Sequence, residues 1–279
     1  ELCERFGFEM TVVPVRSNGI VEVEEIERAI RPETILISVM WANNEIGTIQ
    51  PIEQIGLLAR ARGVAFHVDA VQAVGTLPID LRHTPVDLLS LSAHKFYGPK
   101  GVGVLYVRGG TRWWPLLTGG GQERNRRAGT ENVAGIVGMA RALELALGER
   151  LIATAHLTEL RDFLLQEIPA RIPSTLINGD LFHRLPNNAN LSFEGLHGEA
   201  LLVGFDLAGI MASSGSACTS GSLEPSHVLQ AIGLPDRLAQ ASLRLTVGRE
   251  NSPQEMERTV EVLAQLVARL RRLAPAVRA

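Results

Sequence analysis

An aspartate ends the apolar run in Val68-Asp69-Ala70-Val71-Gln72, and His94-Lys95 ends another such run, with the lysine 26 residues after the aspartate. An acid and a lysine that share one crevice suit pyridoxal-phosphate chemistry. The lysine amine forms a Schiff base, and the carboxylate keeps the ring nitrogen protonated so that the ring accepts electrons. The same spacing also describes a buried Asp-Lys ion pair, which ordinary cores contain as well. A second candidate is the stretch Ser213-Ser214-Gly215-Ser216-Ala217-Cys218-Thr219-Ser220-Gly221-Ser222, which sets a lone cysteine among small and hydroxyl-bearing residues. Such neighbours leave a thiol uncrowded on an accessible loop, able to travel to a substrate. The alternative is a surface loop whose thiol is incidental.

The elements that must position these groups follow a βα rhythm from Val21 to about Arg108. Amphipathic segments at 23–30 and 52–62 predict helices, the latter opened by Pro51 and closed by Gly63. Apolar, β-branched runs at 35–40, 64–68, 88–91 and 102–107 predict strands of a largely parallel sheet. The strands end in Asn43-Asn44-Glu45, Asp69 and Ser92-Ala93-His94-Lys95, and in open α/β sheets ligands bind at the carboxyl ends of the strands. The first residues read as a helix running into Gly7, followed by a strand at 10–13, so the chain looks like a piece that starts mid-domain. Past Thr118-Gly119-Gly120-Gly121, helical patterns cover 131–148 and 153–168. Short strands at 190–193 and 243–247 and helices at 199–207 and 253–273 then read as a smaller α+β domain. The domains are therefore expected at 1–150 and 151–279.

The chain has 279 residues, 46% of them hydrophobic and 20% charged, with a formal charge of −3 and a pI near 6.2. That balance gives no electrostatic footprint for nucleic acid or an anionic membrane, which leaves small molecules and proteins as partners. Cys3 and Cys218 are the only cysteines, too few for a disulfide framework or for a metal centre built from one chain. No apolar stretch has the length of a membrane span and the start does not resemble a secretory leader, so a cytoplasmic setting is expected.

Other conspicuous residues have plainer readings. His197-Gly198-Glu199 lacks a second ligand at helical spacing and reads as a helix start rather than half of a metal site. Trp113 and Trp114 read as packing or dimer surface. The 119–121 glycines lack the Lys-Ser/Thr ending of a nucleotide loop and read as a turn near a subunit boundary.

Four segments carry a resemblance across the chain. They are Phe66-His67-Val68-Asp69-Ala70-Val71-Gln72-Ala73-Val74-Gly75, Ser90-Leu91-Ser92-Ala93-His94-Lys95-Phe96-Tyr97-Gly98-Pro99-Lys100-Gly101, Arg127-Ala128-Gly129-Thr130-Glu131-Asn132, and the Cys218 stretch with Leu223-Glu224-Pro225-Ser226. In family order, they resemble the cysteine desulfurases, fold-type-I pyridoxal-phosphate enzymes of the class V aminotransferase family. The form of the cysteine stretch is similar to the branch associated with nitrogen fixation and iron-sulfur cluster assembly. The resemblance implies an α/β, fold-type-I transferase, with a mostly parallel large domain and a smaller α+β C-terminal domain carrying the cysteine loop. It assigns Lys95 to the cofactor's Schiff base and Asp69 to the pyridine nitrogen. Asn44 and Gln72 flank the ring, and Ser92 and His94 contact the phosphate. Thr130 matches a threonine that reaches the neighbouring subunit's phosphate, which implies a homodimer. Arg244, with Asn44, would hold the substrate carboxylate, a task suited to a planar two-pronged donor. Catalysis would rest on Cys218, Lys95 and His94. L-cysteine would become L-alanine, with a persulfide on Cys218 for delivery to an acceptor such as an iron-sulfur scaffold. No metal is implied.

The family's glycine- and threonine-bearing phosphate turn and its ring-stacking histidine precede the point where this sequence begins. Two further readings therefore stand beside the first. One is a non-catalytic fragment that docks on a complete desulfurase or scaffold. The other is the same cofactor machinery acting on a different amino acid.

Overall fold

Apolar runs that end at Asp69 and Ser92 become strands here, and Pro51, Ser226 and Ser252 stand at the heads of helices. The computed structural model describes residues 1–215 and 225–273, apart from the side chain of Leu2, so Cys218 lies outside the described residues. In chain order the elements are α1 (Leu2–Phe6), α2 (Val23–Ala29), β1 (Leu36–Met40), α3 (Ile52–Arg62), β2 (Ala65–Asp69), β3 (Leu88–Ser92), a 3-10 turn (Ala93–Phe96), β4 (Gly103–Val107), α4 (Gln122–Asn125) and α5 (Val133–Arg171). They continue with β5 (Thr175–Ile177), β6 (Asn188–Phe193), α6 (Gly198–Leu207), α7 (His227–Ala231), α8 (Asp236–Gln240), β7 (Ser242–Thr246) and α9 (Pro253–Leu273).

Two compact units emerge, and neither is one continuous stretch. One comprises residues 1–31, 42–51 and 152–279, the other 32–41 and 52–151. The second unit is built on a four-stranded sheet of order β1-β2-β3-β4, parallel through β3 with β4 antiparallel at the edge. Alternation gives the sheet two different faces. Phe66, Val68 and Leu89 are buried on one of them, while Ser38, His67 and Ser90 lie on the other. Helix α3 buries Ile52, Ile55, Gly56 and Ala59. At Gly56 the backbone approach is so close that a β-carbon would lie 2.4 Å from the carbonyl oxygen of Pro85.

The first unit has the antiparallel sheet β5-β6-β7. Ala189, Leu191 and Phe193 of β6 join Leu160, Leu164 and Ile168 of α5, Leu201 and Phe205 of α6, and Val260 and Leu263 of α9 in one core. Helix α9 buries Met256, Thr259, Val260, Leu263 and Val267, a three-and-four spacing that makes one apolar stripe. Its start is a capping box with Pro253 in the first turn. Ser252 Oγ accepts from the Glu255 amide at 3.3 Å, and Glu255 Oε2 accepts from the Ser252 amide at 2.8 Å.

Two local expectations fail. The helices expected at 131–148 and 153–168 are one continuous helix, α5. No proline separates them, and a β-carbon at Gly148 would meet nothing within 4 Å, so that glycine lowers local helix propensity without breaking the helix. The strand expected at 10–13 does not form: Met10 and Val12 are exposed, and the pairing begins later, in the isolated bridge between Val15 and Val21. An apolar run with no partner strand and no covering face does not become a strand. The helix running into Gly7 is present as α1, closed by Gly7 in the left-handed conformation.

Candidate active site

In the second unit the chemistry-bearing residues gather at the carboxyl ends of the parallel strands. Asp69 is the last residue of β2. Its backbone carbonyl accepts from the Trp41 amide at 2.8 Å, and its Oδ1 accepts from the Val71 amide at 2.9 Å, which turns the chain out of the sheet toward Gln72. On the neighbouring strand Ser90 is the register partner of Asp69, and Ser92 ends the strand. The 3-10 turn that follows carries His94 and Lys95 and buries the flanking Ala93 and Phe96. Both His94 and Lys95 are exposed, so the lysine is not half of a buried ion pair. Tyr97 closes the turn at φ 65, and the Gly98 amide donates to the Ala93 carbonyl at 2.9 Å. Ser92 Oγ and His94 Nδ1 are 2.8 Å apart, so a hydroxyl and an imidazole act as one polar pair beside the lysine.

Upstream on the same sheet face, His67 spans three strands. Its Nδ1 is 2.8 Å from Ser38 Oγ on β1 and its Nε2 is 2.8 Å from Ser90 Oγ on β3. Burial pushes the imidazole below its ordinary range, against the opposing pull of the Asp69 carboxylate. Gln72 is half-buried in the turn after Asp69, and Thr130 is exposed in the loop before α5. Trp113 packs beneath Arg126, whose guanidinium carbon lies 5.9 Å from the ring centre. Trp114 is 93% exposed.

The remaining assigned residues belong to the first unit. Asn43 caps a tight turn, its Oδ1 accepting from the amides of Glu45 at 2.8 Å and Ile46 at 3.0 Å. Gly47 completes the turn at φ +74, a conformation that favours glycine. This turn presents Asn44, whose backbone carbonyl accepts from Arg244 Nη1 at 3.0 Å. Arg244 sits in β7 and is tied to Ser213 by a two-way backbone bridge. The turn is fastened to the polar face of β6, where the Asn188 and Asn190 side-chain amides both donate to the Glu45 carbonyl, at 3.1 and 3.0 Å. His197 is the N-cap residue of α6, as the helix-start reading expects.

Two features escaped the sequence reading. The Ser38-His67-Ser90 chain was visible only as residues of like position on three strands. In the sequence Glu45 reads with its neighbours as a polar strand end, although it is 2% exposed. The alternation Asn188-Asn190-Ser192 on a wholly buried strand was the available signal, because buried amides require polar partners such as that turn.

The profile of the class-V aminotransferase family matches residues 1–259. The chain belongs to that family. Within it, the chain is 50% identical over 272 residues to the cysteine desulfurase IscS of Dictyoglomus turgidum, a match covering 98% of this chain and 69% of the relative. It is 52% identical over 269 residues to the IscS of Methanosarcina thermophila, covering 96% of this chain and 66% of that one. A solved NifS-like protein superposes with a TM-score of 0.88 at 38% identity, over 96% of this chain and 70% of the other. The α/β fold of the class-V family is thus the fold of this chain. Among the described residues no helix is long and apolar enough to cross a membrane.

Proposed function

We infer that this chain is a cysteine desulfurase, releasing sulfur from L-cysteine as a protein persulfide and leaving L-alanine. The observation that carries the reading is the placement of Asp69 at the end of β2 and of Lys95 in the turn that follows the adjacent parallel strand β3, in a chain about 50% identical to named cysteine desulfurases. The residues there fit pyridoxal phosphate: an exposed lysine amine, a carboxylate on the neighbouring strand, and the Ser92-His94 hydroxyl and imidazole. Once bound, that group would act as an electron sink for the α-carbon of an amino acid.

The chain's own residues divide the remaining work. Asp69 would hold a negative charge for the ring nitrogen, and Gln72 and Asn44 would offer amide donors to the ring substituents. Ser92 and His94 would bind the phosphate, joined by Thr130 of a second subunit in a homodimer. Arg244 grips the substrate carboxylate. Lys95 Nζ takes the proton from the substrate α-carbon and returns one as alanine forms, with His94 as the alternative carrier. Cys218, as thiolate, attacks the substrate sulfur. The new S–S bond forms as the carbon–sulfur bond breaks, and the electron pair of that bond goes to the carbon fragment, which is protonated to alanine. The persulfide's outer sulfur then passes to an acceptor thiol, for which an iron-sulfur scaffold protein is the proposed class.

The test is a visible-absorbance titration with pyridoxal phosphate, with Lys95→Ala as control, followed by mass spectrometry of Cys218 after L-cysteine is added. A Lys95-dependent band and a gain of one sulfur on Cys218 are expected. Equal alanine release from Cys218→Ala would overturn the reading.

A further inference from the structure

The described residues on either side of the Cys218-bearing stretch converge on one buried carboxylate. On the upstream side, Ser213 is bridged to Arg244 and the Ser214 carbonyl accepts from Ser242 Oγ at 3.1 Å, so the chain is held against β7 on its way to Gly215. A β-carbon on Gly215 would stand 3.3 Å from Glu45 Oε2 and 3.8 Å from the β-carbon of Ser226. On the downstream side, Ser226 caps α7 by accepting from the amides of Val228 and Leu229 at 3.2 and 3.3 Å. Its own hydroxyl proton goes to Glu45 Oε2, 2.5 Å away. Glu45 is in turn tethered through its backbone. Asn43 holds its amide, and Asn188 and Asn190 hold its carbonyl.

We propose that Glu45 is a positioning residue for sulfur transfer, acting through Ser226 and Gly215 to fix where the Cys218 stretch begins and ends. A carboxylate buried in this way is costly unless each lone pair is used, and a short charge-assisted bond to a hydroxyl is a strong use of one. The same turn presents Asn44, whose carbonyl takes the Arg244 guanidinium. One rigid turn therefore sets both the substrate-carboxylate arginine and the ends of the nucleophile's stretch. The functional part of this assignment rests on the desulfurase reading above.

The test uses the protein with Cys3→Ser, so that Cys218 is the only thiol, and measures the rate of Cys218 alkylation by iodoacetamide without substrate. Ser226→Asp keeps a helix-capping side chain but sets one carboxylate against another. Alkylation is expected to change at least fivefold, with the pyridoxal-phosphate titration unmoved. Adding Glu45→Gln supplies an amide that donates to Asp and is expected to return the rate to within twofold of the parent. Glu45→Gln alone, which changes no volume, serves if Ser226→Asp does not fold, and is expected to shift the rate at least twofold. An unchanged rate in Ser226→Asp, no restoration in the double variant, or an unchanged rate in Glu45→Gln would overturn the proposal. Because alkylation needs no turnover, a persulfide-negative protein with the expected alkylation pattern would refute the desulfurase reading and leave the anchor standing. The converse pattern would refute the anchor alone.

Discussion

Arg244 donates from Nη1 to the backbone carbonyl of Asn44, 3.0 Å away across 200 positions of sequence. That bond orients the guanidinium, the planar group proposed above to grip the substrate carboxylate. Lysine at this position would keep the charge and lose the orientation. Arg244→Lys is expected to raise the KM for L-cysteine about tenfold, and Arg244→Ala about 10- to 150-fold for each charge-assisted bond lost. Binding of pyridoxal phosphate should stay within about twofold, a margin set against the tenfold that 1.4 kcal/mol would produce. Steady-state kinetics beside a cofactor titration checks both, and an unchanged KM in Arg244→Ala would remove the arginine from substrate binding.

Gly47 holds the turn that carries Asn44 and Glu45. A β-carbon there would sit at φ +74 and 2.8 Å from Asn188 Oδ1. The left-handed backbone alone costs a non-glycine residue about 1–2 kcal/mol, and the clash displaces the amide that holds the Glu45 carbonyl. Gly47→Ala is expected to lower the melting midpoint by about 2–8 °C and to reduce kcat/KM further than that loss of stability explains. Thermal melts and kinetics on the same preparation separate the two effects.

The sheet, α3, α6 and α9 were legible because each carries its own period and punctuation: Pro51 and Gly63 around α3, and Ser252-Pro253-Gln254-Glu255 at the head of α9. The strand-end placement of Asp69 and Lys95 was legible for the same reason. The division into units was not, because residues 42–51 join the first unit through hydrogen bonds to Asn188 and Asn190, more than 140 positions away. Local pattern carries no trace of such a partner. The role of Glu45 was hidden likewise, since a polar residue after a strand looks solvated until the strand that buries it is known.

His67 gives a pH dependence with a definite sign. Its folded-state pKa lies below the ordinary value of 6.5, mainly through burial. The unfolded chain therefore binds the proton more readily than the folded one, and stability contributed by the neutral ring is present above 6.5. It is lost as pH falls from there through the lower folded value. His67→Gln keeps a donor and an acceptor for Ser38 and Ser90 but does not titrate. The variant is expected to lose less stability than the parent between pH 7 and 5, as read by denaturant midpoints at each pH. Parallel curves would mean that the imidazole titrates alike in both states.

Asp69 separates charge from hydrogen bonding at the head of the site. Its Oδ1 accepts from the Val71 amide at 2.9 Å, a bond that the carbonyl of an asparagine can make equally well, whereas the negative charge proposed for the ring nitrogen is lost on substitution. Asp69→Asn is therefore expected to keep the turn, the melting midpoint and the Lys95-dependent absorbance band, while kcat falls at least 100-fold, equivalent to about 2.7 kcal/mol of barrier. Asp69→Ala should lose the turn bond as well and melt earlier by the few degrees that one hydrogen bond is worth. If the asparagine variant turned over normally, the carboxylate would be holding the Gln72 turn in place and contributing nothing to the ring. The acid and lysine at the ends of β2 and β3 would then have to be reassigned as a structural feature of the sheet.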